Sequence, residues 1–235
     1  MRQQYDTSKP PPAFSEADAL TLRTALDALG GVRGLDALDL PCGHGDTARL
    51  LASGGARRTV GVDDCPDRIR RARETHPDAR IEYVVADAAG MPQLGPFDLA
   101  TAVYLFNRAP DREGLHALFR SVRANLRLGG RLLAIVPNPG AFPCPDWAPY
   151  GVRVLDREPH DEAPLVRAQF VNRPDAHFEF RAWTHADFCE AAVEAGFATA
   201  GWQPVRTPPP DAERDEAFWA AYRARPVSSL MTCLA

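Results

Sequence analysis

The sequence predicts an α/β fold: a mostly parallel, doubly wound sheet carrying a β-rich insertion after its fifth strand. Two observations lead to it. Short, near-continuous apolar runs alternate with amphipathic helical patterns from residue 35 to residue 137, as strands buried on both faces require. Beyond Pro137 the texture changes, because NPGAFPCPDWAPYG holds four prolines and the β-type segments after it have no helices between them.

Taken in order, a proline-rich entry leads into SEADALTLRTALDALGG. There Leu20, Leu22, Leu26 and Leu29 recur at helical spacing, Ser15 is the expected N-cap and Gly30-Gly31 the stop. Five strands are expected at ALDLP, TVGVD (59–63), IEYVVA (81–86), DLATAV (98–103) and RLLAIVP (131–137). Between them DTARLLASGG, PDRIRRARETH and GLHALFRSVRANLRLGG read as amphipathic helices, while 87–97 is less regular. Right-handed crossovers between parallel strands make this a Rossmann-like arrangement. In the insertion, GVRVLDRE, LVRAQFV and AHFEFRAW are expected to be β. THADFCEAAVEAGF returns to helix, ahead of ATAGWQPV, a helical DEAFWAAYRA and a terminal SSLMTCLA. The chain is thus read as one domain: an N-terminal arm and helix over 1–34, a cofactor-binding core over 35–137, a substrate-lid insertion over 138–183 and a completion of the sheet over 184–235.

Composition excludes several functions. A formal net charge of -4 and a pI near 5.9 give no electrostatic case for tracking nucleic-acid phosphates. No window offers the roughly 18 uninterrupted apolar residues of a membrane span, and the N-terminus lacks a signal-peptide core, so a cytoplasmic protein without a membrane partner is expected. Cys42, Cys65, Cys144, Cys189 and Cys233 are widely spaced with no C-x-x-C, which points to reduced thiols and to no metal site. A monomer or homodimer is expected.

The chemistry concentrates in ALDLPCGHGDTA, residues 37–48. Gly43 and Gly45 let backbone approach a ligand at the first strand-to-helix turn, where the next helix presents free N–H groups. Gly43, Gly45 and Ala48 also satisfy the G-x-G-x-x-A dinucleotide fingerprint, which keeps a nucleotide-dependent oxidoreductase in view. Asp39 separates the two readings. A carboxylate just before the turn would repel a pyrophosphate but suits the ammonium of an amino-acid moiety. Asp63 ends the second strand, where it can take ribose hydroxyls, and Asp87 ends the third, where it can accept from an exocyclic amine. Amino acid, ribose and adenine in that order describe S-adenosylmethionine.

On these residues the sequence resembles the class I S-adenosylmethionine-dependent methyltransferases. Asp39-Leu40-Pro41-Cys42-Gly43-His44-Gly45 resembles their D-x-G-x-G-x-G first motif, with Pro41 in place of the first glycine. In GVDDCPDRIRRAR, Asp63, with Asp64 beside it, resembles the ribose-binding acid. In VVADAAGMP, Asp87 resembles the adenine-contacting acid, with Ala88 offering a backbone N–H. LRLGGRLLAIVPN resembles the turn and fifth strand, and the region after 183 is similar to the family's antiparallel C-terminal end. FDLATAVYLFNRAPDREGLHALF with the later APYGVRV resembles the small-molecule branch that contains toxoflavin synthase, an azapteridine N-methyltransferase. The resemblance implies methyl transfer from S-adenosylmethionine, with S-adenosylhomocysteine as product, to a small acceptor.

The acceptor side is read from the segments beyond the fourth and fifth strands. Tyr104 and Asn107 stand where an open parallel sheet places its crevice, and are expected to face cofactor and substrate. Trp147, Tyr150 and Phe178 offer flat walls, and His160 and His177 are candidates to orient or deprotonate the acceptor. Tyr5, in the N-terminal arm, is expected to fold over the cofactor. Cys42 reads as a small side chain packed under the turn, and Arg68, Arg70, Arg71 and Arg73 as a solvated helix face. The favoured acceptor is a nitrogen of a planar heterocycle in secondary metabolism. A small-molecule O-methyltransferase is the alternative, and a non-catalytic adenosyl-binding protein is a reading of another class.

Overall fold

The computed structural model describes residues 11–75, 77–138 and 146–235. Helix α1 (Ala13–Ala28) precedes the alternating series β1 (Asp36–Asp39), α2 (Asp46–Ser53), β2 (Arg58–Asp63), α3 (Pro66–Thr75), β3 (Ile81–Val85), β4 (Phe97–Val103), α4 (Arg112–Ala124) and β5 (Leu126–Pro137). Strands β6 (Val152–Glu158), β7 (Leu165–Phe170) and β8 (Arg173–Arg181) come next, then α5 (His185–Glu194), β9 (Thr199–Gln203), α6 (Glu216–Ala224) and β10 (Ser228–Leu234). The main sheet runs β3-β2-β1-β4-β5-β10-β9, and β6-β7-β8 form a separate antiparallel sheet. Strands β1 to β5 are parallel to their neighbours, while β10 pairs antiparallel with both β5 and β9. This is the Rossmann-like sheet with an antiparallel C-terminal strand that the sequence predicts.

Both faces of the central strands are buried, which is why those strands lack polar alternation. On one face Leu22 and Leu26 of α1 and Leu51 of α2 pack against Ala37, Leu99, Leu133 and Leu230. On the other, Phe119 of α4 and Phe188 of α5 join Leu38, Val60, Ala100 and Leu132. There Phe106 stacks on Phe119 with ring centroids 3.8 Å apart. No described helix is long and apolar enough to cross a membrane.

Most boundaries shift by a residue or two from the sequence expectation, and two of the shifts have a visible local cause. Helix α1 starts two residues before Ser15, behind Pro12 and without a side-chain cap; the proline's fixed φ of -57° pre-sets the turn instead. LRLGG, expected to finish the fourth helix, belongs to β5. The cause is Asn125, which is buried and whose Oδ1 accepts from the Leu94 and Gly95 amides at 2.7 and 3.1 Å, stopping α4 before Leu126. Leu128, apolar and in helical register, is left 87% exposed.

Candidate active site

The site lies at the carboxyl ends of β1, β2, β3 and β4. Register sets Asp39 opposite both Gly61 and Thr101. The Thr101 hydroxyl therefore donates to Asp39 Oδ1 at 2.8 Å, while Oδ2 is buried with no hydrogen-bond partner. Burial pushes the Asp39 carboxyl up to about 7, against the opposing pull of Thr101 and the nearby Ala48 amide.

Above it the turn is held by Asp63. Its Oδ2 accepts from Gly43 N at 2.9 Å, its Oδ1 accepts from Cys65 N at 3.0 Å, and Arg68 stands 3.4 Å away. Gly45 caps α2 at φ 86°, and a Cβ there would lie 2.2 Å from Tyr83 Oη, so both conformation and space demand glycine. Cys42 fills the space under the turn, and burial raises its thiol far above the ordinary range, which makes it packing and not a nucleophile.

A cavity of about 350 Å³ opens beside the turn, walled by Val62, Ala86, Leu105 and Leu118 and edged by Asp63, Asp64 and Asp87. Asp87 Oδ1 accepts from Ala89 N at 3.0 Å, and Ala88 lies in the same wall. A second cavity of about 410 Å³ adjoins it, since Pro41, Asp63 and Arg108 line both. Its apolar walls are Phe14 from α1, Trp147, and Phe170, Phe178 and Phe180 from the separate sheet. The rings of Phe170 and Phe178 stack at 4.7 Å. Asn107, 6% exposed, reaches this cavity with its Oδ1 unpartnered. His44 lines it too, and burial first, then Arg71 and Arg68, lowers its imidazole pKa, so it is neutral near pH 7.

Of the residues expected from sequence, Pro41, Cys42, Gly43, Asp63, Asp64, Asp87, Ala88, Tyr104, Asn107, Trp147 and Phe178 line one cavity or both. Asp39 ends β1 just before the turn and Gly45 ends the turn at the start of α2, and neither lines a cavity. Tyr5 falls outside the described residues. Four placements differ from expectation. The Tyr104 hydroxyl, expected to face ligands, donates instead to Asp18 of α1 at 2.5 Å, leaving its ring in the cavity wall. Tyr150 packs edge-on against Phe218 and Tyr222 of α6, away from the cavity. His177 is exposed on the far face of β8, bonded to Pro174 O at 2.9 Å, because alternation along a strand sends Phe178 and Phe180 inward and their neighbour outward. His160 is exposed beyond β6, where its Nδ1 accepts from Glu162 N at 3.3 Å. Neither histidine joins the site. Conversely, Arg68, expected on a solvated helix face, turns back onto Asp63 and lines the larger cavity.

The chain is similar to a demethylmenaquinone methyltransferase of Beutenbergia cavernae, 33% identical over 194 residues, spanning 80% of this chain and 74% of the relative. It belongs to the class I S-adenosylmethionine-dependent methyltransferases. A methyltransferase domain family matches residues 37–130, from β1 through the first part of β5. The whole fold of this methyltransferase is shared with solved structures. An S-adenosylmethionine-dependent methyltransferase of Mesorhizobium loti superposes with a TM-score of 0.65 at 22% identity, covering 93% of this chain and all (100%) of that one. The 1,6-didemethyltoxoflavin-N1-methyltransferase of Burkholderia thailandensis, solved with 1,6-didemethyltoxoflavin and S-adenosylhomocysteine, superposes with a TM-score of 0.60 at 18% identity, covering 97% and 80%. The methyl donor of this methyltransferase is S-adenosylmethionine.

Proposed function

We propose that this methyltransferase acts on a planar, ring-containing small molecule and transfers the methyl group to a ring nitrogen. The observation that carries the reading is the larger cavity, whose walls include the aromatic side chains of Phe14, Tyr104, Trp147, Phe170, Phe178 and Phe180. Flat apolar walls favour a flat acceptor. The names of one relative, a demethylmenaquinone methyltransferase, and of one structural neighbour, a 1,6-didemethyltoxoflavin-N1-methyltransferase, accord with a small ring-containing acceptor.

Each group then takes its own part. Asp63 has about four lone-pair positions, and Gly43 N, Cys65 N and Arg68 occupy three, which leaves room for a ribose hydroxyl. Asp87 and Ala88 edge the apolar slot where an adenine fits, and Asp39 supplies negative charge beneath an ammonium group. Bound S-adenosylmethionine supplies a methyl already made electrophilic by its sulfonium. The protein has to hold the acceptor in line, exclude water and orient the nucleophile. Asn107 Oδ1, buried and unpartnered, accepts from an N–H elsewhere on the acceptor and so aims the lone pair of a second, unprotonated ring nitrogen at the methyl. A nitrogen with a free lone pair needs no obligate base.

One observation favours a second reading. His44 lines the acceptor cavity as a neutral imidazole, which suits deprotonation of a phenol or quinol before O-methylation. Two experiments test these readings. Titration calorimetry of S-adenosylhomocysteine with Asp63→Ala should show binding weaker by about 1.5–3 kcal/mol, the range for hydrogen bonds to a charged group; unchanged binding in a folded variant overturns the cofactor assignment. Methyl transfer to a panel of heteroaromatic amines, phenols and quinols decides the nucleophile. Methylated amines from both wild type and His44→Asn support nitrogen, whereas methylated phenols with loss of roughly a hundredfold or more in His44→Asn move the assignment to oxygen.

A further inference from the structure

Behind the wall of the larger cavity, one buried polar cluster joins the wall residue Tyr104 to Asp18 and Ser228, which line neither cavity. Asp18 lies one helical turn beyond Phe14 on α1 and is 7% exposed. It accepts from the Tyr104 hydroxyl, just past β4, at 2.5 Å and from the Ser228 hydroxyl at the start of β10. Among the described residues it pairs with no arginine, lysine or histidine. Tyr222 of α6 is the other titratable group that acts on this cluster, and its phenol is raised by burial and by the Asp18 charge. Tyr104 is the one described non-glycine residue with positive φ, at 56°. That conformation costs a bulky side chain free energy, so something must hold it. Its amide donates to Ile135 O at 2.8 Å, its ring forms cavity wall, and Asn107 comes three residues later in a single turn of 3-10 helix.

We propose that Asp18 is a positioning residue of the acceptor site: as a carboxylate that accepts from both hydroxyls, it locks the Tyr104 ring as cavity wall and fixes the turn that carries Asn107. The assignment rests on the acceptor reading of the larger cavity. The lock has a direction. An ionised carboxyl accepts from both hydroxyls at once, whereas a protonated one donates from one oxygen, which reverses one of the two bonds and exchanges charge-assisted hydrogen bonds for weaker neutral ones. Burial holds the Asp18 carboxyl up at about 6, so the lock is complete above that pH and weakens below it. An asparagine at 18 fills the same space but offers one acceptor and an N–H₂, and so mimics the protonated form at every pH.

The test separates this lock from simple structural support. In protein labelled with ¹³C-ε tyrosine, the Tyr104 resonance, assigned by its loss in Tyr104→Phe, should shift with a midpoint near pH 6 in wild type and stay level in Asp18→Asn. Ser228→Ala removes a donor that favours the charged form, so it should move the midpoint upward, and this variant decides the matter if Asp18→Asn does not fold. For whichever amine or quinol probe the wild type methylates, Asp18→Asn should raise the acceptor KM about tenfold with kcat within about threefold and S-adenosylhomocysteine affinity within about twofold. A Tyr104 resonance insensitive to pH in wild type overturns the proposal. So does an Asp18→Asn protein that melts earlier with its acceptor KM unchanged. Failure of wild type itself to bind S-adenosylhomocysteine would instead count against the cofactor assignment.

Discussion

Asp39 is the residue where stability and the proposed cofactor role oppose each other. Its carboxyl is 1% exposed, with one oxygen on Thr101 and the other unpartnered, an arrangement that a ligand-free fold does not need. Because burial raises its pKa in the folded state to about 7, the folded protein holds that proton more tightly than the unfolded chain. The stabilisation is complete below about pH 4 and is lost as pH rises through 7. Asparagine removes the titration while keeping the size. Asp39→Asn should therefore melt higher than wild type at pH 8 by roughly 5–10 °C, the range for a few kcal/mol in a chain of this size, and the gap should close toward pH 5. The same variant should bind S-adenosylhomocysteine more weakly. Melting curves from pH 5 to 8.5 check the first part, and a variant less stable than wild type at pH 8 would show that the carboxylate is held by favourable contacts instead.

At the scale of elements, the separate sheet works as one wall. Ala168 and Phe170 on β7 and Phe178 and Phe180 on β8 share a face by the two-residue repeat, and the ladder places Ala168 opposite Phe178. Phe178→Ala should lower acceptor kcat/KM by about ten- to a hundredfold and leave cofactor affinity level, whereas His177→Ala, on the opposite face, should change neither; equal losses in the two variants would mean the sheet is seated differently. This contrast also shows what the sequence makes legible. The acids ending β1 and β2, Asp87 two residues beyond β3, and the turn of Gly43 and Gly45 are readable, because strand ends and tight turns are fixed by neighbours in the chain. Phe178 is readable as a flat ring but its partners Phe14, Phe170 and Phe180 are not, since which face of β7 and β8 turns inward depends on how that sheet docks. His160 and His177 fall outside the site for the same reason. Arg68 is hidden by belonging to an arginine-rich helix, whose first turn alone reaches Asp63. Asp18 meets Tyr104 and Ser228 across 86 and 210 residues of chain, and no local pattern encodes such a meeting.

For the molecule as a whole, α1 contributes Phe14 to the wall of the larger cavity and Asp18 to the Tyr104 behind that wall, and the proposed reading gives this cavity to the acceptor and the ends of the main-sheet strands to the cofactor. Two buried acids, Asp18 held near 6 and Asp39 near 7, make the ligand-free fold less stable at neutral pH than at mildly acid pH on their account alone. A cofactor with an ammonium group above Asp39 favours its ionised form, so binding must release a proton wherever the free protein still holds one. S-Adenosylhomocysteine at about a hundred times its Kd should raise the melting temperature by roughly 5–10 °C at pH 8, where Asp39 is already ionised. At pH 6 the carboxyl must first be deprotonated, which weakens binding about tenfold and removes close to half of that gain. In Asp39→Asn the shift should be the same at both pH values. The measurement is thermal denaturation of both proteins at pH 6 and pH 8 with ligand held at one concentration. A wild-type shift independent of pH would mean that Asp39 does not sense the cofactor's charge and that the ammonium is held elsewhere.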